Sequence, residues 1–361
     1  MMTAQVQGIG CLLRRALIEM KPGGFLKPAG FSALLIVVFS AAIASPLKAQ
    51  PLERYAFSRA QMGTPFNIVL YAPDSVHARR AAEAAFARID SLNQYLSDYL
   101  TDSELSRLSA TAGSGRAVPV GDDLWTVLHA AQRWAARTDG AFDVTVGPLT
   151  RLWRWAMRRG RLPPDDQLAH ARAAVGYRHL ALDSVAQTVR LLRPDMRLDL
   201  GGIAKGYAID RGVAVLRQQG LQQFLLNAGG DVYASGQKDH RTDWLVGVKH
   251  PRASNDLLAR FNLRDVAAAT SGDYERYALI DGTRYHHIID PRTGYPGTLS
   301  QSVTVLAGSA EEADVWATYL FLTGPSSLQQ AAPQEIPYLI VDAEGQVQVS
   351  TSFRAALQLL D

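Results

Sequence analysis

Late in the chain, "SAEEADVWATYLFLTG" (309–324) holds Asp314 and Thr318 four residues apart in a stretch with helical texture. That spacing puts both side chains on one helix face. A carboxylate, a hydroxyl and nearby carbonyls offer only oxygen, the ligand chemistry of Mg²⁺ or Ca²⁺ rather than zinc. An aspartate this close to a helix start also serves simply to favour that helix end, so the pair alone leaves both roles open.

Three further stretches carry chemistry. "LDLGGIAKGYAID" (198–210) sets Gly201 and Gly202 ahead of Lys205 and a helical pattern, as where a backbone must come close to a phosphate. It is no Walker loop, because Lys205 is followed by Gly206 and Tyr207, and it lacks the Gly-x-Gly-x-x-Gly order. "TDGAFDVTVGPL" (138–149) carries Asp143 among apolar neighbours. An inward carboxylate there must be paired or hydrogen-bonded, and a loop aspartate serving local N–H groups is the alternative.

"HHIIDPRTGYPG" (286–297) gathers His286, His287, Asp290 and Arg292 ahead of a Pro/Gly turn. Adjacent strand residues point to opposite faces, which argues against the two histidines sharing a metal. Asp290 and Gly294 also suit a purely structural turn. A serine triad Ser271–His287–Asp290 can be assembled, but no Gly-x-Ser-x-Gly elbow surrounds Ser271.

The elements that must position these residues are readable from periodicity. "FNIVLYA" (66–72) reads as a strand and 74–96 as a long helix with Ala82, Ala85, Phe86, Ile89 and Leu92 on one face. Further helices fit 122–137, the segment from the Gly-Gly stretch to about Gln219, and 311–322. Between the last two, short apolar runs split by turn residues read as strands, "HHIIDPRTG" among them, and "PYLIVDAEGQVQVS" as a closing hairpin. Helices come mostly first and strands mostly later, without βαβ alternation or internal repeats, so the expected class is α+β.

The N-terminus reads as a leader. Lys21 and Lys27 precede an apolar run from Phe31 to Ala44, and small residues follow at "AIA" (42–44) and "LKA" (47–49). That is the order of a secretory signal, and the run is too short to span a bilayer. The expected division is a leader over residues 1–49, with Met20 an alternative start, and one domain over 50–361; an uncleaved anchor is the other option. The leader holds five of the 37 Lys and Arg and one of the 34 Asp and Glu, leaving the rest at a net charge of −1. The basic balance of the whole chain therefore gives no ground for nucleic-acid binding. Cys11, the single cysteine, lies in the leader, so the exported part has no disulfide, no catalytic thiol and no thiolate metal site. About 310 residues suffice for a core that needs no such staples.

Taken in order, eight blocks resemble the ApbE family of FAD:protein FMN transferases: "MGTPFNIVLYA" (62–72), "SDYLTDSELSRLS" (97–109), "TDGAFDVTVGPLTRLW" (138–153), "LDLGGIAKGYAID" (198–210), "NAGGDVYASG" (227–236), "ATSGDYERY" (269–277), "HHIIDPRTGYP" (286–296) and "SVTVLAGSAEEADVWAT" (302–318). The resemblance implies a single ApbE-like, T-fold-related α+β domain of mixed sheets with packed helices. It implies Mg²⁺-dependent cleavage of the FAD pyrophosphate, transfer of FMN to a Thr or Ser hydroxyl of an exported or membrane-bound redox protein, and release of AMP. By the same resemblance, Met62, Tyr99, Ala141, Phe142, Asp143, Asp199, Lys205 and Ile289 contact FAD. Gly202, Asp314, Ala317 and Thr318 hold the metal, Gly202 and Ala317 through their carbonyls, and His287 lies near the transferred phosphate. His287 and Asp314 are the expected catalytic residues. Export fits such a role, in the periplasm and in reach of the inner membrane. An FAD pyrophosphatase using the same site, or a non-catalytic exported FAD carrier, are the competing functions.

Overall fold

A hairpin opens the described chain. β1 (Glu53–Gln61) and β2 (Thr64–Ala72) pair antiparallel around Met62 and Gly63, whose φ angles are 48° and 74°. Two successive left-handed residues are what a tight hairpin turn needs to follow the twist of its strands. The computed structural model describes residues 51–361 apart from 240, 254, 332–334, 356, 360 and 361. The leader expected over 1–49, with Cys11 and Met20, lies outside the described residues.

After the hairpin come α1 (Ser75–Leu96), α2 (Glu104–Ser109), β3 (Val118–Pro119), α3 (Asp122–Arg137), α4 (Gly147–Arg159), α5 (Asp165–Ala173), β4 (Leu180–Asp183), β5 (Thr188–Leu191) and α6 (Ala204–Gln218). Strands then dominate: β6 (Phe224–Ala228), β7 (Asp231–Ser235), β8 (Trp244–Lys249), β9 (Leu257–Leu263), β10 (Val266–Gly272), β11 (Tyr277–Ile280), β12 (Thr283–His286) and β13 (Ser300–Ala307). The chain closes with α7 (Ala310–Thr323), α8 (Leu328–Ala331), β14 (Tyr338–Asp342), β15 (Val347–Val349), α9 (Thr351–Arg354) and β16 (Leu357–Leu359). This is the α+β class. Every ladder between named strands is antiparallel, and the one parallel pairing among the described residues is an isolated bridge between Val146 and Arg197.

Eight strands form the main sheet in the order β1-β2-β6-β7-β10-β13-β14-β15. Alternation along its strands sorts residues to two cores. Phe66, Ile68, Tyr233, Ala267, Ala269, Val303 and Val305 face the larger core, shared with α1, α6 and α7. Val232, Ala234, Ala268 and Leu306 face a second core under the β16-β9-β8 sheet, with Trp244, Phe261 and Phe353. Central strands buried on both faces read as continuous apolar runs, which is why β13 is interior along almost its whole length. The same parity assigns Asp231 and Ser271 to the helix side, beside Tyr233 and Ala269.

Helix α7 lies on β10 and β13 and against α6, and α1 packs on the opposite flank of α6. Ala313, Val315, Trp316, Ala317, Leu320 and Phe321 are fully buried, so α7 is apolar nearly all round, as an internal helix must be. A third, smaller core joins Leu149, Trp153 and Ala156 of α4 to Leu168, Ala171 and Ile289. Its Trp153 stacks on Tyr285 at 5.2 Å and donates through Nε1 to the Gly294 carbonyl at 2.8 Å. That anchors the segment after His286 to α4.

This segment keeps the turn expected at Asp290–Gly294 but not the strand expected before it. Only His286 of "HHIIDPRTG" belongs to a strand. Asp290 accepts from the Arg292 N–H and guanidinium at 2.7–2.9 Å, and Gly294 N–H returns to the Asp290 carbonyl at 2.8 Å. Pro291 has no N–H to give to a ladder, so the stretch closes into a turn.

Candidate active site

The two halves of the site are carried by α6 and α7, and their glycines explain the Gly-rich motif. Gly206 lies against α7: a Cβ there would come 2.6 Å from the main-chain carbon of Ala310. Gly202 lies against Thr318: a Cβ would come 3.0 Å from Thr318 Oγ1 and 3.2 Å from the Phe142 ring. Close backbone approach is therefore real, and in the structure it is approach to a neighbouring helix.

The helices also satisfy each other's free ends. Asp314 on α7 accepts the Gly206 N–H, one of the unpaired donors in the first turn of α6, at 3.2 Å. Asp210 on α6 accepts the first two N–H groups of α7, from Ala310 at 2.8 Å and Glu311 at 3.0 Å. Ser309 Oγ takes the third, from Glu312, at 3.2 Å. Asp314 thus does not cap its own helix, which removes the helix-start role that sequence left open.

Lys205 forms an ion pair with Asp231 on β7, and Asp231 also accepts the Thr270 N–H at 3.0 Å. Asp231 and Asp314 are 2 % and 4 % exposed. Burial raises the pKa of Asp314, Lys205 opposes that, and Asp231 adds to it. Burial alone would lower the Lys205 ammonium, but Asp231 and Asp314 carry it above the ordinary lysine value. Two interior carboxylates thus face one ammonium, a pocket short of positive charge.

Thr318 Oγ1 lies 3.4 Å from Ser271 Oγ, so Gly202, Thr318, Asp314 and Ser271 converge from three elements. Among the described residues no three His, Cys, Asp or Glu side chains gather in a metal-binding group. A cation here would be held by one carboxylate with hydroxyl and carbonyl oxygens, a hard donor set. The oxygen chemistry and the unbalanced carboxylate both fit Mg²⁺ on Gly202, Asp314, Ala317 and Thr318.

The other predicted positions are spread over several elements, some exposed and some buried. Tyr99 is 63 % exposed, with the Arg154 guanidinium 4.6 Å from its ring centroid and Arg276 Nη1 donating to its hydroxyl at 3.1 Å. Arg154 pairs with Asp98 and with Asp199 at 3.2 Å, and Asp199 also accepts from Thr150 and the Gly201 N–H. Met62 occupies the strained left-handed turn position, partly packed on the large core. Ala141 and Phe142 are buried, Phe142 against Gly202. Asp143 is held by the Thr145 N–H and hydroxyl at 2.8 and 2.7 Å and by the Tyr177 N–H at 2.7 Å, the local-backbone role weighed from sequence. The Ile289 side chain is buried in the third core, and its backbone bridges to Pro296.

His286 and His287 part company. His286 is 3 % exposed, with Nε2 2.7 Å from the Gly297 carbonyl, Nδ1 accepting from the Ile288 N–H at 3.2 Å, and its ring edge-on to Phe321. His287 is half-buried, and its Nδ1 is a buried atom with no hydrogen-bond partner. Burial, then the neighbouring His286 and Arg276, lower its pKa to about 4, so the ring is neutral at ordinary pH. The triad Ser271–His287–Asp290 is not assembled: Asp290 is bound to Arg292 and Ser271 faces Thr318. Sequence reasoning missed Asp231, Asp210 and Arg276 as site residues. A charged residue opening the apolar strand "DVYAS" was the available signal for Asp231.

Such a scaffold, an antiparallel sheet covered by helices, has solved counterparts. The ApbE protein of Thermotoga maritima matches with a TM-score of 0.78 at 32 % identity, covering 84 % of this chain and 99 % of that one. The flavin transferase ApbE from Vibrio cholerae matches at 0.75 and 32 %, covering 85 % and 100 %. The FAD:protein FMN transferase of Klebsiella pneumoniae (strain 342) is 35 % identical over 277 residues, 75 % of this chain and 83 % of that protein. The Escherichia coli (strain K12) protein of the same name is 30 % identical over 317 residues, 86 % and 90 % of the two chains. The ApbE family model spans residues 62–340, and this chain belongs to the ApbE family.

Proposed function

We propose that this chain is a flavin transferase that splits the pyrophosphate of FAD and places FMN on a Thr or Ser hydroxyl of an acceptor protein. The observation that carries this beyond kinship is the cluster of two interior carboxylates against one ammonium, at the helices that bring Gly202 against Thr318. A charge-short, all-oxygen pocket suits a cation that binds phosphates. In the reaction, the acceptor oxygen bonds to the phosphorus of the FMN half, the bond from that phosphorus to the bridging oxygen breaks, and AMP leaves with that oxygen. Mg²⁺ on Gly202, Asp314, Ala317 and Thr318 would neutralise phosphate charge and stabilise the leaving group.

The chain's own groups do the rest. The Tyr99 ring, backed by Arg154, offers one free face for a flat ring system. Lys205 stays charged through Asp231 and keeps the pocket from becoming too negative for phosphates. Neutral His287, with Nδ1 unpaired, accepts the acceptor's hydroxyl proton. Holding the nucleophile in line is the larger part of such phosphoryl chemistry.

Export of residues 50–361 belongs to the same proposal, supported by the leader's charged, apolar and small-residue order. Acceptors at the inner-membrane surface fit it. Among the described residues no helix is long and apolar enough to cross a membrane. The test is to incubate the purified protein with FAD, Mg²⁺ and a candidate acceptor. Transfer yields AMP and a fluorescent acceptor; AMP with only free FMN shows a pyrophosphatase; no AMP at all overturns the enzyme.

A further inference from the structure

We propose that Arg276 is the anion anchor of this site, its guanidinium receiving the pyrophosphate of the incoming FAD; this rests on the FAD reading above. Arg276 immediately precedes β11. Its Nη1 reaches the Tyr99 hydroxyl at 3.1 Å. Its Nη2 would be 3.6 Å from a Cβ at Gly63, in the turn beside Met62. Its carbonyl accepts the His287 N–H at 3.1 Å. One side chain thus borders the Met62–Gly63 turn, the exposed tyrosine and the segment of the candidate base.

Charge accounting singles it out. Lys205 is compensated by Asp231, and Arg154 by Asp98 and Asp199. Among the described residues Arg276 makes no ion pair, and its charge is felt at both Lys205 and His287. A guanidinium has five N–H donors in a fork that matches phosphate oxygens, and the phenol of Tyr99 uses one of them. The Tyr99 ring is already held from below by Arg154, so Arg276 is not required to fix it. Moving from a neutral phenol to a phosphate is a gain in hydrogen-bond strength for an exposed side chain with little to lose.

The test separates the two halves of FAD. ADP, which carries the pyrophosphate without flavin, and riboflavin, which carries flavin without phosphate, are titrated against the full chain by calorimetry, alongside FAD. Arg276→Gln should weaken ADP and FAD about 10- to 100-fold, the usual worth of a hydrogen bond to a charged group, and leave riboflavin unchanged. Arg276→Lys should recover part of the loss, keeping charge without the fork. Tyr99→Phe, which removes only the hydroxyl, should leave ADP affinity intact. Unaltered ADP affinity in Arg276→Gln, or an equal loss in Tyr99→Phe, overturns the anchor. If the wild type releases AMP from FAD while Arg276→Gln keeps its ADP affinity, the anchor falls and the transferase stands. If ADP is held through Arg276 by a chain that releases no AMP from FAD, the anchor stands and the transferase falls.

Discussion

The main-chain N–H of His287 donates to the carbonyl of Arg276 at 3.1 Å, so the residues on either side of the β11–β12 hairpin close its root. Whatever fixes Arg276 also fixes the backbone from which His287 projects. His287→Ala should lower flavin transfer by about 10²–10⁴-fold, the size of a general-base contribution, while FAD affinity changes far less. In the wild type this base is lost only as pH falls through about 4, where the ring takes up its proton. Initial rates from neutral pH downward, with FAD affinity measured in parallel, check both points.

His286→Ala is a stability variant. It removes the contact to the Gly297 carbonyl, the acceptor for the Ile288 N–H and the packing on Phe321. The loss should be about 1–3 kcal/mol, read from urea unfolding. Burial holds the His286 pKa below its ordinary value, so below about 6.5 the unfolded chain binds the extra proton first. The stability this contributes is present above that pH and is lost as pH falls through the folded-state value. The variant should lose less stability than wild type on going from neutral to mildly acidic buffer.

Asp314→Asn should abolish Mg²⁺-dependent turnover by at least about 10²-fold, through loss of charge stabilisation at the phosphates. The amide oxygen can still accept the Gly206 N–H, and a neutral group there no longer bears the cost of burying a charge, which together with the repulsion from Asp231 outweighs the attraction of Lys205. The thermal midpoint in metal-free buffer should therefore not fall. Turnover against Mg²⁺ concentration and a melting curve measure the two effects separately.

Gly206→Ala tests the helix crossing. The added methyl would meet the Ala310 main chain and force α6 and α7 apart, an overpacking cost of about 1–3 kcal/mol. Because Asp314 and Thr318 ride on α7 while Gly202 lies just before α6, metal affinity should drop with stability. Calorimetric Mg²⁺ titration alongside unfolding would show the two losses together.

The elements most legible in sequence are those whose periodicity and ends agree. The helix expected over 122–137 is α3 to the residue, and Asp74, at the start of the expected long helix, is its N-cap, accepting the His77 N–H at 2.7 Å. The turn at Asp290–Gly294 was legible from its Asp-Pro and Gly residues, but the strand expected before it was not formed, because a short apolar run such as Ile288-Ile289 looks the same in a buried strand and in a loop packed on a core. Asp314 and Thr318 were legible because four residues along a helix is a local relation. The pairing of Lys205 with Asp231 was not, since it spans 26 positions and depends on which strands neighbour each other. Arg276 likewise acquires its meaning only when the hairpin root brings it beside Tyr99 and Gly63.

The exchange of carboxylates between α6 and α7 has a bearing on how the two helices stay aligned. Asp210 and Asp314 each serve the other helix's opening turn, so a slip of either helix strands donors at both ends at once. That interlock is complete with protein groups alone. The register of α6 against α7 is therefore set by the two aspartates themselves. A catalyst built this way has its two site-bearing helices held in register by the fold itself.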